Sequence, residues 1–147
     1  MKNSTIKHPF QSYLKNVVQT IKRSVDTQLE PHDLSGPQAK IVAFIGEKQN
    51  QGISICQKDI EAVMHITAAS ITSLLQGLEK KGFIQRSTST ADERIKELAL
   101  TQRGKKLIDT FDALFSSIEK KIIQGMSEQD KELFLKQLCS IHARFEK

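Results

Sequence analysis

The chain has 147 residues, of which 38% are apolar and 27% charged, and its formal net charge is +5. This length fits one domain or one subunit of an oligomer, and a content of only 7 Gly and 3 Pro excludes a fibrous or low-complexity chain. No apolar run approaches the roughly 18 residues of a membrane helix, and no signal peptide is recognisable. Two cysteines make no disulfide framework. For these three reasons we expect a cytoplasmic protein.

The first 55 residues predict two helices and a minimal strand. An amphipathic helix over residues 9–30 has its apolar stripe at Phe10, Leu14, Val17, Val18, Ile21 and Val25. Ser35 caps a second helix with Pro37 in its first turn. Residues 46–52, rich in Gln, Asn and Gly, are predicted as a loop, and residues 53–55 as a short strand.

The middle of the chain predicts two helices followed by a hairpin. A short helix over residues 56–64 buries Ile60, Val63 and Met64, and Thr67 then caps a longer helix with an apolar face. Gly82 stands where a left-handed helix end is expected. Two β-type stretches, 83–88 and 94–100, flank a polar tip at residues 89–93.

The last third predicts two amphipathic helices. Thr101 caps a long helix that Gly125 interrupts, and Ser127, with Asp130 three residues on, opens the final helix. One small core does not obviously bury these faces together with that of the first helix. Helices in this position usually pack against a second copy of the chain.

Basic charge is concentrated in the first two thirds of the sequence. Residues 56–106 hold nine Lys and Arg against six Asp and Glu, whereas residues 107–147 hold six against seven. A basic excess is typical of proteins that bind polyanions, but a charge of +5 also occurs in proteins that bind nothing anionic. Charge alone therefore leaves nucleic-acid binding open.

Two helices joined by a tight turn and followed by a hairpin are the layout of a winged helix-turn-helix, here over about residues 35–100. The helix after Thr67 would be the recognition helix, with small or hydrogen-bonding side chains facing the major groove at Ala68, Ala69, Ser70, Thr72, Ser73 and Gln76. Arg94 would enter the minor groove, and Arg86 would reach a phosphate. The alternative is an ordinary surface helix whose polar face is merely solvated.

Four sequence motifs closely resemble those of the MarR family of bacterial transcriptional regulators. They are LSGPQA at residues 34–39, QKDI at 57–60, LLQGLEKKGFI at 74–84, and the wing motif DER at 92–94 with LTQRG at 100–104. The resemblance runs from about residue 10 to the C-terminus. It implies an obligate homodimer with dimerisation helices at about residues 9–30 and 101–147, binding a pseudo-palindromic operator, and an Asp92 that orients Arg94.

The chain departs from the family pattern at three positions. Family members often carry a basic residue in place of Ser73 and an arginine in place of Ser87 and of Glu93. Each subunit would therefore lack three potential phosphate contacts, so we expect weaker binding than that of a fully basic relative.

Regulatory chemistry leaves several possibilities open. Cys56 opens a short helix, where the helix dipole favours a thiolate, so a redox role stands beside simple packing. In the family that the chain resembles, a small-molecule pocket lies between the dimerisation helices and the winged domain; the corresponding residues would be Tyr13, His32, Phe44 and Phe111, each of which could equally be core. We predict no metal site, no cofactor and no enzymatic activity, because ligand clusters and catalytic motifs are missing from the sequence.

Two functions of different classes follow. The first is a sequence-specific double-stranded DNA-binding transcriptional regulator, a repressor released by a small-molecule or oxidant signal. The second is a winged-helix module for protein–protein assembly, which the reduced charge of the recognition face keeps open.

Overall fold

Helices make up most of the chain that the computed structural model describes, residues 6–146. The helices are α1 (Pro9–Leu29), α2 (Gly36–Asn50), α3 (Gln57–Met64), α4 (Ala68–Lys80), α5 (Gln102–Ile123) and α6 (Glu128–Phe145), with a short 3-10 helix (Glu30–His32) after α1. The strands are β1 (Ile55–Cys56), β2 (Ile84–Thr88) and β3 (Lys96–Leu100), which form one antiparallel sheet in the order β1-β3-β2. The prediction of a mainly α fold with a small β wing is therefore confirmed.

The described residues divide into two compact units, one ending at Leu114 and one beginning at Phe115, so the boundary lies within α5. The first unit contains the hydrophobic core, to which the end of α1, the helices α2 to α4, the three strands and the first half of α5 contribute. Its buried side chains include Leu29, Ile41, Val42, Ile45, Ile60, Ile71, Leu75, Leu78, Ile84, Leu98, Leu107 and Phe111. Burying these apolar side chains is the main stabilising term of this unit.

Helices α2, α4 and α6 begin where the sequence predicts them, because the residue before each has a side chain that accepts from a free N–H group of the first turn. Ser35 Oγ accepts from Gln38 N–H while Gln38 Oε1 accepts from Ser35 N–H, a reciprocal capping box. Thr67 and Ser127 cap α4 and α6 in the same way, each accepting from the N–H group three residues on.

The predicted loop at residues 46–52 is wrong in its first part, since α2 continues to Asn50. Gly46 is buried in that helix, and a Cβ atom added to it would lie 2.9 Å from Ile108 Cδ1 on α5. The glycine therefore permits close helix packing and does not mark a turn.

Two smaller predictions in the same region also need correction. The short strand comprises Ile55–Cys56 and not residues 53–55, because Ile55 pairs with Leu98 and Cys56 with Glu97 on β3. Val63, predicted to be buried, keeps 47% of its surface exposed, since α3 contributes chiefly Ile60 to the core.

Large apolar side chains remain exposed on α1 and α6. On α1 they form a stripe at helical spacing, and each keeps between 43% and 86% of its surface exposed: Phe10, Tyr13, Leu14, Val17 and Val18. On α6, Leu133, Leu135 and Phe145 are more than half exposed, and none of its residues is buried. Contiguous apolar surface of this kind marks a contact site.

Among the described residues, no helix is long and apolar enough to cross a membrane.

Candidate nucleic-acid interface

Helices α3 and α4 form a helix-turn-helix. Helix α3 ends at His65, whose backbone is left-handed with φ of 47°. Thr67, which has an extended backbone conformation, then caps α4. Helix α4 buries Ile71, Leu75 and Leu78 in the core. Because side chains repeat every 3.6 residues, the opposite side of α4 is left at the surface.

The surface face of α4 consists of Ala69, Ser73 and Gln76, all of which are exposed. Ser73 and Gln76 make no side-chain hydrogen bond to any other residue that the structure describes, so their polar atoms are available to an external partner. Ser70 lies at the start of the helix, where its Oγ is 2.8 Å from Thr67 Oγ1 and accepts its hydrogen. Small side chains here allow another molecule to approach the α4 backbone closely.

Thr72 differs from its neighbours because its hydroxyl already has two protein partners. It donates to the Ala68 carbonyl at 3.0 Å and accepts from Gln57 Nε2 at 2.8 Å. Gln57 also donates to Glu61 Oε1 at 3.1 Å, so this amide links α3 to α4. Thr72 therefore offers a partner only its methyl group and one remaining lone pair.

The wing is the hairpin of β2 and β3, and its tip is organised by Asp92 and Arg94. The Asp92 carboxylate accepts from the Arg94 backbone N–H at 3.0 Å, and from Arg94 Nε and Nη2 at 3.1 Å each. The Arg94 side chain is nonetheless 90% exposed. This bidentate pair holds a guanidinium in a defined position at the surface. Glu93 lies beside it and is exposed.

The hydrogen bonds from Arg94 lower the pKa of Asp92. The side-chain bond has the larger effect and the backbone bond adds to it, since both stabilise the charged carboxylate. The Asp92 carboxyl group is therefore ionised at neutral pH.

We expect the pKa of Asp92, measured by NMR titration of its carboxyl carbon, to lie below the ordinary aspartate value of about 3.9. Because the folded-state pKa is depressed, the stabilisation from this pair is fully present above the unfolded-state pKa. It is lost only as the pH falls through the folded-state pKa. Replacing Arg94 with alanine removes the larger, side-chain effect and keeps the backbone hydrogen bond, so the pKa of Asp92 should rise toward the ordinary value. An unchanged pKa would contradict the pairing.

Arg86, predicted to reach a phosphate, has a partner within the protein. Its Nε lies 3.1 Å from Glu79 Oε2 on α4, although this buried nitrogen lacks hydrogen-bond geometry to that oxygen. The side chain is 27% exposed. Any contact of Arg86 with a phosphate would therefore have to share its guanidinium with Glu79.

The four residues predicted to line an effector pocket lie in different settings. Tyr13 is on the exposed stripe of α1, Phe111 is buried in the core, and Phe44 packs under the Lys48 ammonium at 5.6 Å. His32 lines a cavity of about 340 Å³ to which the other three do not contribute. The structure does not bring the four together in one cavity of the described chain.

Cys56 lies at the N-terminal end of α3 and is partly exposed. Its backbone N–H donates to Asp59 Oδ2 at 2.7 Å, so a carboxylate occupies the first turn of the helix. The redox role of Cys56 stays a prediction.

Gln57 and Glu79 help to position the interface through their contacts with Thr72 and Arg86, and neither role could be predicted from the sequence. Gln57 lies 15 residues before Thr72, and Glu79 contacts Arg86 only because β2 lies beside α4. Neither pair has a periodic spacing that could reveal it, because each depends on two elements packing together.

Comparison with known proteins gives a consistent result. The MarR family model matches residues 34–96. The HTH-type transcriptional repressor YetL of Bacillus subtilis (strain 168) is 30% identical over 112 residues, which are 76% of this chain and 65% of YetL. The matched part thus spans slightly less than two thirds of that relative.

Two solved structures have the same fold. FabT of Streptococcus pneumoniae in complex with DNA has a TM-score of 0.83 at 23% identity, covering 95% of this chain and 97% of FabT. MepR of S. aureus in a DNA complex has a TM-score of 0.81 at 23% identity, covering 96% of this chain and 99% of MepR.

Proposed function

Because of its match to the MarR family model and its similarity to YetL, we propose that the chain is a member of the MarR family and a sequence-specific, double-stranded DNA-binding transcriptional regulator that acts as a repressor. Regulators of this class are not enzymes, and the proposal includes no catalytic step and no cofactor. Such a protein acts on the bacterial chromosome, which places it in the cytoplasm.

The observation that carries the proposal is the exposed face of α4 combined with the exposed Arg94. A recognition helix needs one face in the core and an opposite face of small or hydrogen-bonding residues, as Ser73 and Gln76 provide. A wing needs a guanidinium held at its tip, as Asp92 provides for Arg94. We therefore assign base or phosphate contacts to Ser70, Thr72, Ser73, Gln76, Arg86 and Arg94.

The exposed apolar stripe of α1 and the exposed face of α6 support a homodimer. In this proposal residues 35–100 form the winged DNA-binding part, while residues 9–30 and 101–147 form dimerisation helices. A two-fold dimer places two identical readers on a pseudo-palindromic operator with half-sites about one helical turn apart. Release by a small molecule or by oxidation of Cys56 completes the proposed regulation.

Binding to duplex DNA across a salt series tests the proposal. A regulator should prefer one genomic fragment, selected from fragments of the source genome, and its affinity should fall steeply with salt because phosphate contacts release counterions. Equal binding to every fragment, or no binding at low salt, would favour a protein–protein assembly module.

Replacing Gln76 with alanine should change which bases are preferred at one position of each half-site. A side-chain amide that contacts a base edge contributes about 1–3 kcal/mol of discrimination. Affinities for a panel of single-base operator variants would measure the change. Gln28→Ala on α1 removes the same amide from an exposed helix and should leave the ranking intact. If Gln76→Ala also leaves the ranking intact, α4 does not read the sequence through this residue.

A further inference from the structure

Glu79 and Arg86 form an ion pair between the recognition helix and the wing. Arg86 Nε, on β2, lies 3.1 Å from Glu79 Oε2 near the end of α4. The Arg86 side chain is mostly buried, whereas that of Glu79 is about half exposed. Glu79 is also the one acidic residue of α4. The helix that would read DNA therefore contains a single negative charge, and that charge is paired with the wing.

Glu79 lies on the side of α4 that is open to an external partner. It follows Gln76 by three residues, as Gln76 follows Ser73, and residues at this spacing are neighbours on one helix face. A recognition helix contacts base edges with its N-terminal residues, so its C-terminal turns lie closer to the phosphate backbone. An unpaired carboxylate there would repel the phosphates of every duplex, whatever its sequence. Arg86 neutralises this charge within the protein.

The ion pair lies outside the joint between α4 and the wing. This joint runs from Lys81 to Phe83, and Gly82 at its centre has a left-handed φ of 80°. Arg103 Nη1 donates to the Lys81 carbonyl at 2.8 Å, and Thr101 Oγ1 donates to the Gly82 carbonyl at 2.6 Å. The start of α5 therefore holds the joint itself, while the ion pair is a second tie farther along α4 and β2.

The Arg86 guanidinium keeps donors free for a second anion. Its Nε is buried and has no hydrogen bond within the described chain, because the contact with Glu79 lacks the geometry for one. A guanidinium carries five N–H donors, and 27% of this side chain is exposed, so part of the group remains accessible. Glu79 thus holds the positive charge between α4 and β2 without using up its hydrogen-bonding capacity.

We propose that Glu79 is a positioning residue that increases sequence specificity by restraining Arg86. The restrained guanidinium meets a phosphate only where α4 and the wing are seated together on the operator. Without Glu79, the mobile arginine would reach phosphates of any duplex, and its operator contact would lose the advantage of preorganisation. This inference rests on the proposed function, in which α4 and the wing contact DNA.

The affinities of Glu79→Gln for the selected operator and for a shuffled duplex of the same length and composition test the inference. Binding to the shuffled duplex should strengthen about threefold, with a salt slope steeper by about 0.9 per subunit, because the freed guanidinium gains a phosphate contact. Operator affinity should fall about threefold, so the ratio of specific to non-specific affinity should drop about tenfold. Because a partly exposed ion pair contributes little to stability, the unfolding midpoint should stay close to that of wild type.

Glu93→Gln is the matched control, because it removes the same charge from an exposed position on the wing. It should strengthen binding to both duplexes by a similar factor and leave the ratio unchanged. In an Arg86→Gln background, Glu79→Gln should also leave the ratio unchanged, because no guanidinium is then present to restrain. A lower ratio in that background would show that Glu79 does not act through Arg86 and would overturn the inference.

The NMR order parameter of the Arg86 Nε–H group, measured without DNA, tests the restraint directly. It should be high in wild type and fall clearly in Glu79→Gln. An unchanged order parameter would overturn the inference, as would unchanged affinities in Glu79→Gln. An equal gain for both duplexes would also overturn it, because Glu79 would then be a simple repelling charge. If Glu79→Gln mobilises Arg86 but wild type prefers no duplex, the restraint stands and the proposed regulator function fails.

Discussion

Replacing Val17 with aspartate should convert the protein from a dimer to a monomer at micromolar concentration and abolish operator binding. Val17 is at the centre of the exposed α1 stripe and keeps 51% of its surface accessible in the single chain. Burying a valine contributes about 1.5–3 kcal/mol, and a dimer contains two copies. The substitution removes the burial of both valines and places two carboxylates in an apolar contact. Together these effects should raise the dimer dissociation constant about 100-fold or more.

Sedimentation velocity over a concentration series measures this constant, and circular dichroism checks that the helices persist. The matched control is Asn16→Asp, which adds the same charge on the other side of α1 and should leave the dimer intact. Leu135→Asp probes α6, where that leucine is 63% exposed. A Val17→Asp protein that dimerises as tightly as wild type would show that the α1 stripe is not the interface.

Replacing Arg94 with alanine should weaken operator binding roughly 10- to 100-fold for each wing that contacts DNA, since a hydrogen bond to a charged group contributes about 1.5–3 kcal/mol. The slope of log affinity against log salt concentration should become shallower by about 0.9 for each phosphate-equivalent contact, or nearly two units per dimer. The fold should survive, because the Arg94 side chain is 90% exposed and packs against no core residue.

Three other substitutions separate a DNA contact from a purely structural pair. Lys40→Ala removes the same charge from the exposed side of α2 and should change neither the affinity nor the slope by a comparable amount. If Arg94 acts on DNA, Arg94→Lys should retain part of the affinity. If Arg94 only stiffens the tip through Asp92, then Asp92→Asn should be as harmful as Arg94→Ala, and Arg94→Lys should be tolerated poorly because it cannot pair bidentately. Wild-type affinity and slope in Arg94→Ala would mean that the wing does not touch DNA.

Local sequence determined where the helices begin and which of their faces are apolar. Ser35, Thr67 and Ser127 cap helices as predicted, because a cap involves only residues three positions apart. The stripe on α1, the buried face of α4 and the left-handed φ of 80° at Gly82 follow from spacing and residue type over a few residues. The helix-turn-helix and its hairpin could therefore be predicted before any tertiary contact was known.

Tertiary structure alone decided the features that join distant parts of the chain. Gly46 lies in a helix because α5 packs against it at Ile108, and β1 is a strand because Leu98 and Glu97 of β3 lie beside it. The commitment of Thr72 to Gln57 and of Arg103 to the Lys81 carbonyl likewise depends on pairs of elements coming together. Periodicity and capping report only on neighbours within about one helical turn, so they contain no information on which surfaces meet. Those choices are made by the packing of the whole core, in which the best burial of many side chains overrides the preference of any short segment.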